Sequence, residues 1–397
     1  MPRQNRPRDL EGKRSRADVE RGEAIHATPG TFLLHTQPGL EAVAERELSA
    51  VAQGLRLLGR RTVPGRNSVI LFAATESPHW SRLRTAEDVF SLVAYRRVRD
   101  PRQTLDQTRA AARLTPLMAD ALRERALLQR ASKGKRTLDF RVVTRVAGEH
   151  PFRRSELGRA VERGVLERAD HRWRLADEQG DAVEIWATLI DQELFLALRL
   201  SDRYQRHREY QLSHRPASLR PSVAAALAWL SQPRPHDIVM DPLCGTGTIL
   251  VERAHLAPHK LLLGADISAH AVDATRTNLG SRHKPWQLVQ WDAGALPLRD
   301  HCVDKLITNL PWGKKLGDRE QNRALYPRLF AEFARVVKPD GLLVILTGET
   351  RLMARLIDRM KFRRLRSFPV HILGARAGVY VLHPRAALGG ESPFRER

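Results

Sequence analysis

Residues 236–257 read HDIVMDPLCGTGTILVERAHLA, and this stretch decides the fold class. An apolar strand (236–240) ends in Asp241, a turn with two glycines follows, and a helix comes next. This order predicts a ligand site at the carboxyl end of a parallel strand, where α/β sheets bind nucleotide-like molecules. Gly245 and Gly247 let the backbone come close to a ligand, and the N-terminus of the helix adds unpaired N–H groups.

The next two strands also end in an acidic residue, Asp266 after residues 260–265 and Asp292 after residues 288–291. A carboxylate accepts hydrogen bonds, so Asp266 suits two ribose hydroxyls and Asp292 suits an adenine amino group. The turn lacks G-x-G-x-x-G and has no basic residue for a pyrophosphate, which disfavours a dinucleotide. We expect S-adenosyl-L-methionine (SAM), whose amino-acid tail and sulfonium need acceptors rather than phosphate donors.

The fourth strand (303–308) is followed by the most informative segment of the chain, Asn309-Leu310-Pro311-Trp312-Gly313-Lys314-Lys315. The Asn309 amide oxygen and the Leu310 carbonyl offer two acceptors for the two N–H donors of an exocyclic amine. Trp312 offers a face on which a base can stack. The alternative is a plain turn with a buried Trp, which the neighbouring cofactor turn disfavours.

The composition predicts a polyanionic partner. Lys and Arg total 67 against 45 Asp and Glu, which gives a net charge of +22. Arginine-rich codon usage explains part of the excess of Arg over Lys but not the shortage of carboxylates, for which a polyanionic partner such as nucleic acid accounts. A solvated charged face is the alternative. Nine basic residues are candidates for RNA binding: Arg141, Arg145, Arg153, Arg154, Arg159, Arg203, Arg206, Lys314 and Lys315.

Several classes of protein are disfavoured. The longest apolar run, residues 223–230, is far shorter than the roughly 20 residues that cross a bilayer. The first residues are polar and lack the apolar core of a secretory signal, so we expect a cytoplasmic protein without membrane contact. Two cysteines, Cys244 and Cys302, cannot form a disulfide framework or a four-ligand zinc site, so we expect no metal.

Changes in composition and periodicity divide the chain into an N-terminal arm, two α/β units, a linker, a doubly wound sheet and a tail. The predicted segments are a disordered arm (1–29), a ferredoxin-like domain (30–100), a second α/β domain (101–200), an Arg-rich linker (201–221), a Rossmann-like domain (222–384) and a tail (385–397). Within them the pattern predicts helices over 81–93 and 110–131 and a hairpin that turns at Asp191-Gln192-Glu193.

Two segments of the Rossmann-like domain, DPLCGTGTILVE and TNLPWGKKLG, resemble those of class I SAM-dependent methyltransferases of the N-P-P-Y type, which methylate exocyclic amines. Residues 139–161 resemble a THUMP domain, an RNA-binding module that follows a ferredoxin-like domain. The layout of residues 30–384 is similar to the THUMP-containing tRNA guanine-N2 methyltransferases of the acceptor-stem position 6 branch. The resemblance therefore implies a THUMP RNA-binding domain over 101–200 and a class I methyltransferase domain over 222–384.

The same resemblance implies the roles of individual residues. The implied catalytic residues are Asn309, Leu310, Pro311 and Trp312. The implied cofactor-binding residues are Ala217, Ser218, Leu219, Asp241, Cys244, Gly245, Thr246, Gly247, Thr248, Asp266, Ile267, Asp292 and Ala293. Leu310 stands where the family has its first Pro, and Trp312 stands where it has Tyr or Phe. Both departures point to the guanine-N2 branch rather than to N6-adenine DNA enzymes, and we expect Trp312→Phe or Trp312→Tyr to be tolerated.

We thus expect a SAM-dependent enzyme that forms N2-methylguanosine in tRNA, at position 6, without an obligate protein partner. Two enzyme alternatives, guanine-N2 methylation of ribosomal RNA or of tRNA position 10, would use much the same catalytic residues. A third alternative is an RNA-binding protein whose methyltransferase domain is inactive, although the intact acidic residues and Asn309 argue against it. A DNA methyltransferase is a fourth, disfavoured because no target-recognition insertion is visible.

Overall fold

The computed structural model describes residues 25–63, 66–75, 80–129, 137–177, 182–213, 218–313, 319–372 and 374–384. Most of the predicted arm and all of the predicted tail lie outside these residues. In the described part of the chain, the N-terminal half carries an eight-stranded sheet and the C-terminal half carries a seven-stranded sheet.

Among its described residues, the N-terminal half contains eight strands and four α-helices. In chain order they are β1 (Thr31–Thr36), α1 (Glu41–Val51), β2 (Arg56–Arg61), β3 (Ser68–Ala73), β4 (Asp88–Arg97), α2 (Thr104–Leu114), α3 (Leu117–Gln129), β5 (Thr137–Ala147), α4 (Arg154–Leu166), β6 (Arg172–Leu175), β7 (Val183–Ile190) and β8 (Glu193–Arg199). The strands pair in the order β2-β3-β1-β4-β8-β7-β5-β6.

The first four strands have the order expected of a ferredoxin-like layer. β1 lies between β3 and β4 and is antiparallel to both, and a single helix, α1, crosses from β1 to β2. Where such a layer has its second helix, the described residues between β3 and β4 form one short helical turn, Trp80–Arg82. β4 also pairs with β8, so one continuous sheet joins the two α/β units that the sequence suggested as separate domains.

Two local predictions in this half are wrong. The helix predicted over 81–93 is replaced by β4, whose first seven residues are all buried. A strand buried on both faces has no apolar–polar alternation, so local pattern cannot distinguish it from a buried helix. The single helix predicted over 110–131 is two helices, because Thr115 precedes Pro116 and adopts an extended backbone. The hairpin turning at Asp191 is confirmed, with β7 and β8 paired antiparallel.

The C-terminal half alternates strands and helices. Its elements are α5 (Pro221–Leu230), β9 (Ile238–Asp241), α6 (Thr248–Leu256), β10 (Leu261–Asp266), α7 (Ala269–Leu279), β11 (Trp286–Gln290), β12 (Val303–Asn309), α8 (Arg319–Val336), β13 (Val337–Thr347), α9 (Thr350–Arg359), β14 (Arg363–Ile372) and β15 (Ala375–His383).

The strand order of this sheet, β11-β10-β9-β12-β13-β15-β14, confirms the doubly wound prediction. β9 to β13 pair in parallel, and the hairpin of β14 and β15 is added antiparallel to β13. One apolar core contains residues of α5 and α6, and a second contains residues of α8 and α9. The order along the sheet reverses between β9 and β12, and in such sheets ligands bind beyond the carboxyl ends of the strands at that reversal.

The two halves pack against each other. Leu40 and Val43 of the N-terminal half belong to the same apolar core as α5 and Val370 of β14. The backbone N–H of His371 on β14 donates to the carbonyl of Pro38 at 3.0 Å. The contact also carries buried charge, since Arg84 of the N-terminal half donates to Glu252 of α6 at 2.5 and 3.0 Å.

Candidate active site

The carboxyl ends of β9 and β12 meet at the reversal in strand order. Thr308 Oγ1 donates a hydrogen bond of 2.9 Å to Asp241 Oδ1, which ties the end of β12 to the end of β9. Asp241 also accepts from the backbone N–H of Leu243 at 3.2 Å. Two predicted site segments, 67 residues apart in the chain, are therefore adjacent in the fold.

The glycine turn after β9 is a tight loop that opens on one side. Gly245 and Gly247 have φ angles of +57° and +75°, which favour glycine. A Cβ on Gly247 would lie 2.6 Å from Thr275 Cγ2, so packing alone requires this glycine. A Cβ on Gly245 would meet no atom within 4 Å. Gly245 therefore faces open space that a ligand can fill.

Asp266, at the end of β10, supports this turn directly. Its Oδ2 accepts from the Gly245 N–H at 3.0 Å, and its Oδ1 accepts from the Ser268 N–H at 2.9 Å. Each carboxylate oxygen has a second lone pair, so both can still accept from a ribose hydroxyl. The neighbouring Ile267 is 67% exposed, which is unusual for a large apolar side chain and suits a residue that covers a ligand.

Two side chains at the turn are buried, Asp241 and Cys244. Burial raises the pKa of Asp241 to about 7, although the hydrogen bonds from Thr308 and the Leu243 backbone act in the opposite direction. Burial also raises the pKa of the Cys244 thiol, with the Asp241 charge adding to the effect. The thiol is therefore neutral at physiological pH and has the character of a small apolar lining residue rather than a nucleophile.

Asp292 lies after β11 and is partly exposed. Its Oδ1 accepts from the Gly294 N–H at 2.8 Å, and its Oδ2 accepts from Arg328 Nη2 at 2.9 Å. The Gly294 N–H and then Arg328 lower the pKa of Asp292, so the group is an ionised acceptor at neutral pH. Ala293 beside it is buried in the second core. Arg328, on α8, was not identified from the sequence.

The segment before α5 reaches the turn from the other side. Thr246 Oγ1 donates to Ser218 Oγ at 3.4 Å and lies 3.2 Å from Thr248 Oγ1. Leu219 packs against the core that contains α5 and α6. Ser218 is therefore at the predicted cofactor site, whereas Ala217 lies outside the described residues.

The Asn309–Trp312 segment leaves β12 at the same edge of the sheet. Leu310 is 1% exposed, and its N–H donates to the Leu346 carbonyl at 2.9 Å. Trp312 Nε1 donates to Asn309 Oδ1 at 2.9 Å. The structure thus places the Asn309 amide and the indole of Trp312 in direct contact, while Lys314 and Lys315 lie outside the described residues.

Several supporting residues of this segment were not identified from the sequence. Tyr326 OH and Asn322 Nδ2 donate to the Pro311 carbonyl at 2.6 and 3.1 Å. Tyr326 OH also lies 2.8 Å from Thr347 Oγ1 at the end of β13. Asn322 and Tyr326 are four residues apart on α8 and almost fully buried. Their four-residue spacing places them on one face of the helix, and this periodicity could have identified them from the sequence.

The candidate RNA-binding arginines of α4 are on the surface. Arg153, Arg154 and Arg159 are exposed. Arg159 also lines a groove of about 230 Å³ beside α2, together with Arg109 and Arg163. These guanidinium groups can reach a phosphate backbone without leaving a buried partner.

The other candidate arginines have partners within the protein. Arg141 pairs with Glu184 at 2.5 Å, and Arg203 stacks on Tyr204 at 4.9 Å. Arg206 pairs with the fully buried Asp88. Arg145 lies over the Trp186 ring at 4.5 Å, and burial lowers its pKa to about 10. Arg145 and Arg206 thus have a structural role, and their contact with RNA stays a prediction.

No cluster of three or more His, Cys, Asp or Glu side chains in the described part of the chain could hold a metal ion. None of the described helices is both long enough and apolar enough to cross a bilayer.

Comparison with known proteins agrees with this geometry. Residues 208–377 match the family described as "RMKL-like, methyltransferase domain". The chain is 33% identical over 262 residues to the human tRNA (guanine(6)-N(2))-methyltransferase THUMP3. This match covers 62% of this chain and 51% of the relative. It is 31% identical over 219 residues to the tRNA (guanine(6)-N2)-methyltransferase of Thermus thermophilus. That match covers 54% of this chain and 64% of the relative.

The resemblance extends to a solved structure. The crystal structure of TrmN from Thermus thermophilus matches with a TM-score of 0.72 and 25% identity, over 89% of this chain and 99% of that one. Because the match covers so much of the chain, both sheets take part in it. The chain spans about half the length of the human and mouse relatives it matches.

Proposed function

We propose that the chain methylates the exocyclic N2 of a guanosine in tRNA, because residues 208–377 match the RMKL-like methyltransferase family. The observation that carries the proposal is the single edge of the sheet at which Asp241, the glycine turn, Asp266 and the Asn309–Trp312 segment meet. Relatives named as tRNA guanine(6)-N2 methyltransferases support tRNA as the substrate and position 6 as the site.

We propose SAM as the methyl donor, and the residues at the turn fit it. The open space at Gly245 admits a ligand close to the backbone, and the carboxylates of Asp266 and Asp292 supply acceptors for hydroxyl and amino groups. SAM, when bound, supplies a methyl group already activated on a sulfonium. The remaining cofactor residues would be Ser218, Cys244, Thr246, Thr248, Ile267 and Ala293, as the resemblance implies.

In the proposed mechanism the protein mainly aligns the guanine amine with the methyl group and stabilises the charge that develops on nitrogen. The Asn309 oxygen and the Leu310 carbonyl accept hydrogen bonds from the two N–H groups of the guanine amine and hold the nitrogen for in-line attack. As nitrogen gains the methyl group it becomes positively charged, and the same acceptors stabilise that charge. One N–H proton then passes to solvent, so no strong base is required. A guanosine within a duplex must first be flipped out to reach this edge.

We further propose that residues 101–200 are a THUMP domain that binds the tRNA. The exposed Arg153, Arg154 and Arg159 support this role, as does the net positive charge of the chain. The ferredoxin-like layer of residues 30–100 would support that domain, since β4 and β8 join the two in one sheet.

The test uses the full chain, labelled SAM and unmodified tRNA transcripts that carry a guanosine at position 6. The control transcript replaces that guanosine and its pairing partner with an A–U pair. We expect N2-methylguanosine by nucleoside mass spectrometry in the first transcript and none in the second. Equal label in both transcripts would contradict position 6, and no label in any tRNA would contradict the activity.

A further inference from the structure

The indole of Trp312 does more than present a face to a base. Its Nε1–H donates to Asn309 Oδ1 at 2.9 Å. An Asn amide has an acceptor oxygen at one end and a donor NH2 at the other, whereas an indole N–H can only donate. The bond therefore fixes which end of the Asn309 amide faces Trp312. The oxygen retains a second lone pair, which can accept from another donor.

The position of the indole is itself fixed by packing. A Cβ on Gly348, just after β13, would lie 3.1 Å from Cδ2 and Cε3 of Trp312 and 3.2 Å from its Cβ. A side chain at residue 348 would crowd the indole, so the glycine lets the indole lie close against this backbone. Tyr326 and Asn322 hold the carbonyl of Pro311, the residue that precedes Trp312. The N–H of Trp312 is thus directed at Asn309 by the surrounding fold.

We propose that Trp312 is a positioning residue whose indole N–H orients the Asn309 amide so that its oxygen accepts from the substrate amine. This inference rests on the proposed amino-methyltransferase function. A flipped amide would instead present NH2 to the N–H groups of guanine, and donor would face donor. Phe has no such donor, so the expectation that Trp312→Phe is tolerated is replaced by an expected loss of turnover.

The sharpest test replaces Trp312 with 3-benzothienylalanine, which keeps the shape and stacking face of the indole but has sulfur in place of the N–H. We expect kcat for tRNA methylation to fall about tenfold, the effect of losing one orienting hydrogen bond. The KM for tRNA and the affinity for SAM should stay at the parental values, because stacking and the glycine turn are unchanged. A merely structural role of the indole would leave kcat unchanged in this variant.

The same analogue is also tested in an Asn309→Asp background. Both carboxylate oxygens of Asp accept hydrogen bonds, so the orientation of the side chain at position 309 no longer matters. In that background the analogue at position 312 should change kcat less than about twofold. A parental kcat in the analogue-bearing protein, or an equal loss in both backgrounds, would overturn the inference. Neither result would affect the proposed function, which fails only if the parent protein forms no N2-methylguanosine.

Discussion

Asp266 supports the glycine turn in this structure, and we propose that its carboxylate also accepts from a ribose. We expect Asp266→Ala to weaken SAM binding by roughly a hundredfold, since it removes a charged acceptor and leaves the Gly245 N–H without a partner. Isothermal titration calorimetry measures the loss, and circular dichroism shows whether the variant is folded.

The matched control for Asp266→Ala is Asp273→Ala, which removes an exposed carboxylate on α7 that pairs with Arg276. Its SAM affinity should equal that of the parent. Unchanged affinity in a folded Asp266→Ala protein would contradict the ribose assignment.

At the scale of single elements, α6 begins at the glycine turn and contacts the N-terminal half. Glu252 on α6 is fully buried and accepts from Arg84 and from Tyr210 OH, the latter at 2.7 Å, with Arg208 3.5 Å away. Glu252→Gln would leave the two buried guanidinium groups without their counter-charge. We expect the free energy of unfolding to fall by about 3 kcal/mol, measured by urea denaturation.

The control for this prediction is Glu320→Gln on α8, where the carboxylate is 79% exposed and pairs with Arg323 at 3.5 Å. An exposed pair of this kind contributes less than about 1 kcal/mol. If the two variants unfold at the same urea concentration, the buried cluster does not stabilise the contact between the halves.

The elements also show what the sequence could and could not predict. β9, β10 and β12 were predicted within one or two residues, because each is a short apolar run that ends in a polar residue at the site. β4 was mistaken for a helix because its partners, β1 and β8, are remote in the chain. The contact of Gly348 with Trp312 was missed for the same reason, since α8 and β13 separate the two residues in the chain.

At the scale of the whole molecule, the two halves meet at Gly39. This glycine has a φ angle of +93°, and a Cβ there would lie 2.2 Å from the Pro369 carbonyl oxygen. We expect Gly39→Ala to displace the N-terminal half from β14 and to lower tRNA methylation at least tenfold, while SAM affinity stays at the parental value. Labelled methyl transfer and calorimetry give the two readouts.

Gly280→Ala is the matched control, because its φ angle is also positive (+56°) but a Cβ would meet no atom within 4 Å. It carries the same kind of backbone strain without the clash. Equal methylation by the two variants would show that the Gly39 contact does not couple the halves.

RNA binding is the other property of the whole molecule. A plot of log affinity for tRNA against log salt has a negative slope. Replacing Arg153 and Arg154 with alanine should make that slope shallower by about two, because two phosphate contacts are lost. Arg359 and Lys361, exposed near the amino-terminal edge of the C-terminal sheet, form a control pair with the same change in charge. An identical salt slope for the α4 variant and the parent would mean that this surface is only solvated.

The central claim is that Asn309 accepts from the amine that is methylated. The most direct measurement is single-turnover methyl transfer from labelled SAM to an unmodified tRNA transcript by the parent and by Asn309→Ala. Because the acceptor matters most as charge develops on nitrogen, the rate should fall on the order of 10² to 10³, with SAM and tRNA affinities unchanged. A parental rate in Asn309→Ala would show that the Asn309–Trp312 segment is only a structural turn, and would contradict the account.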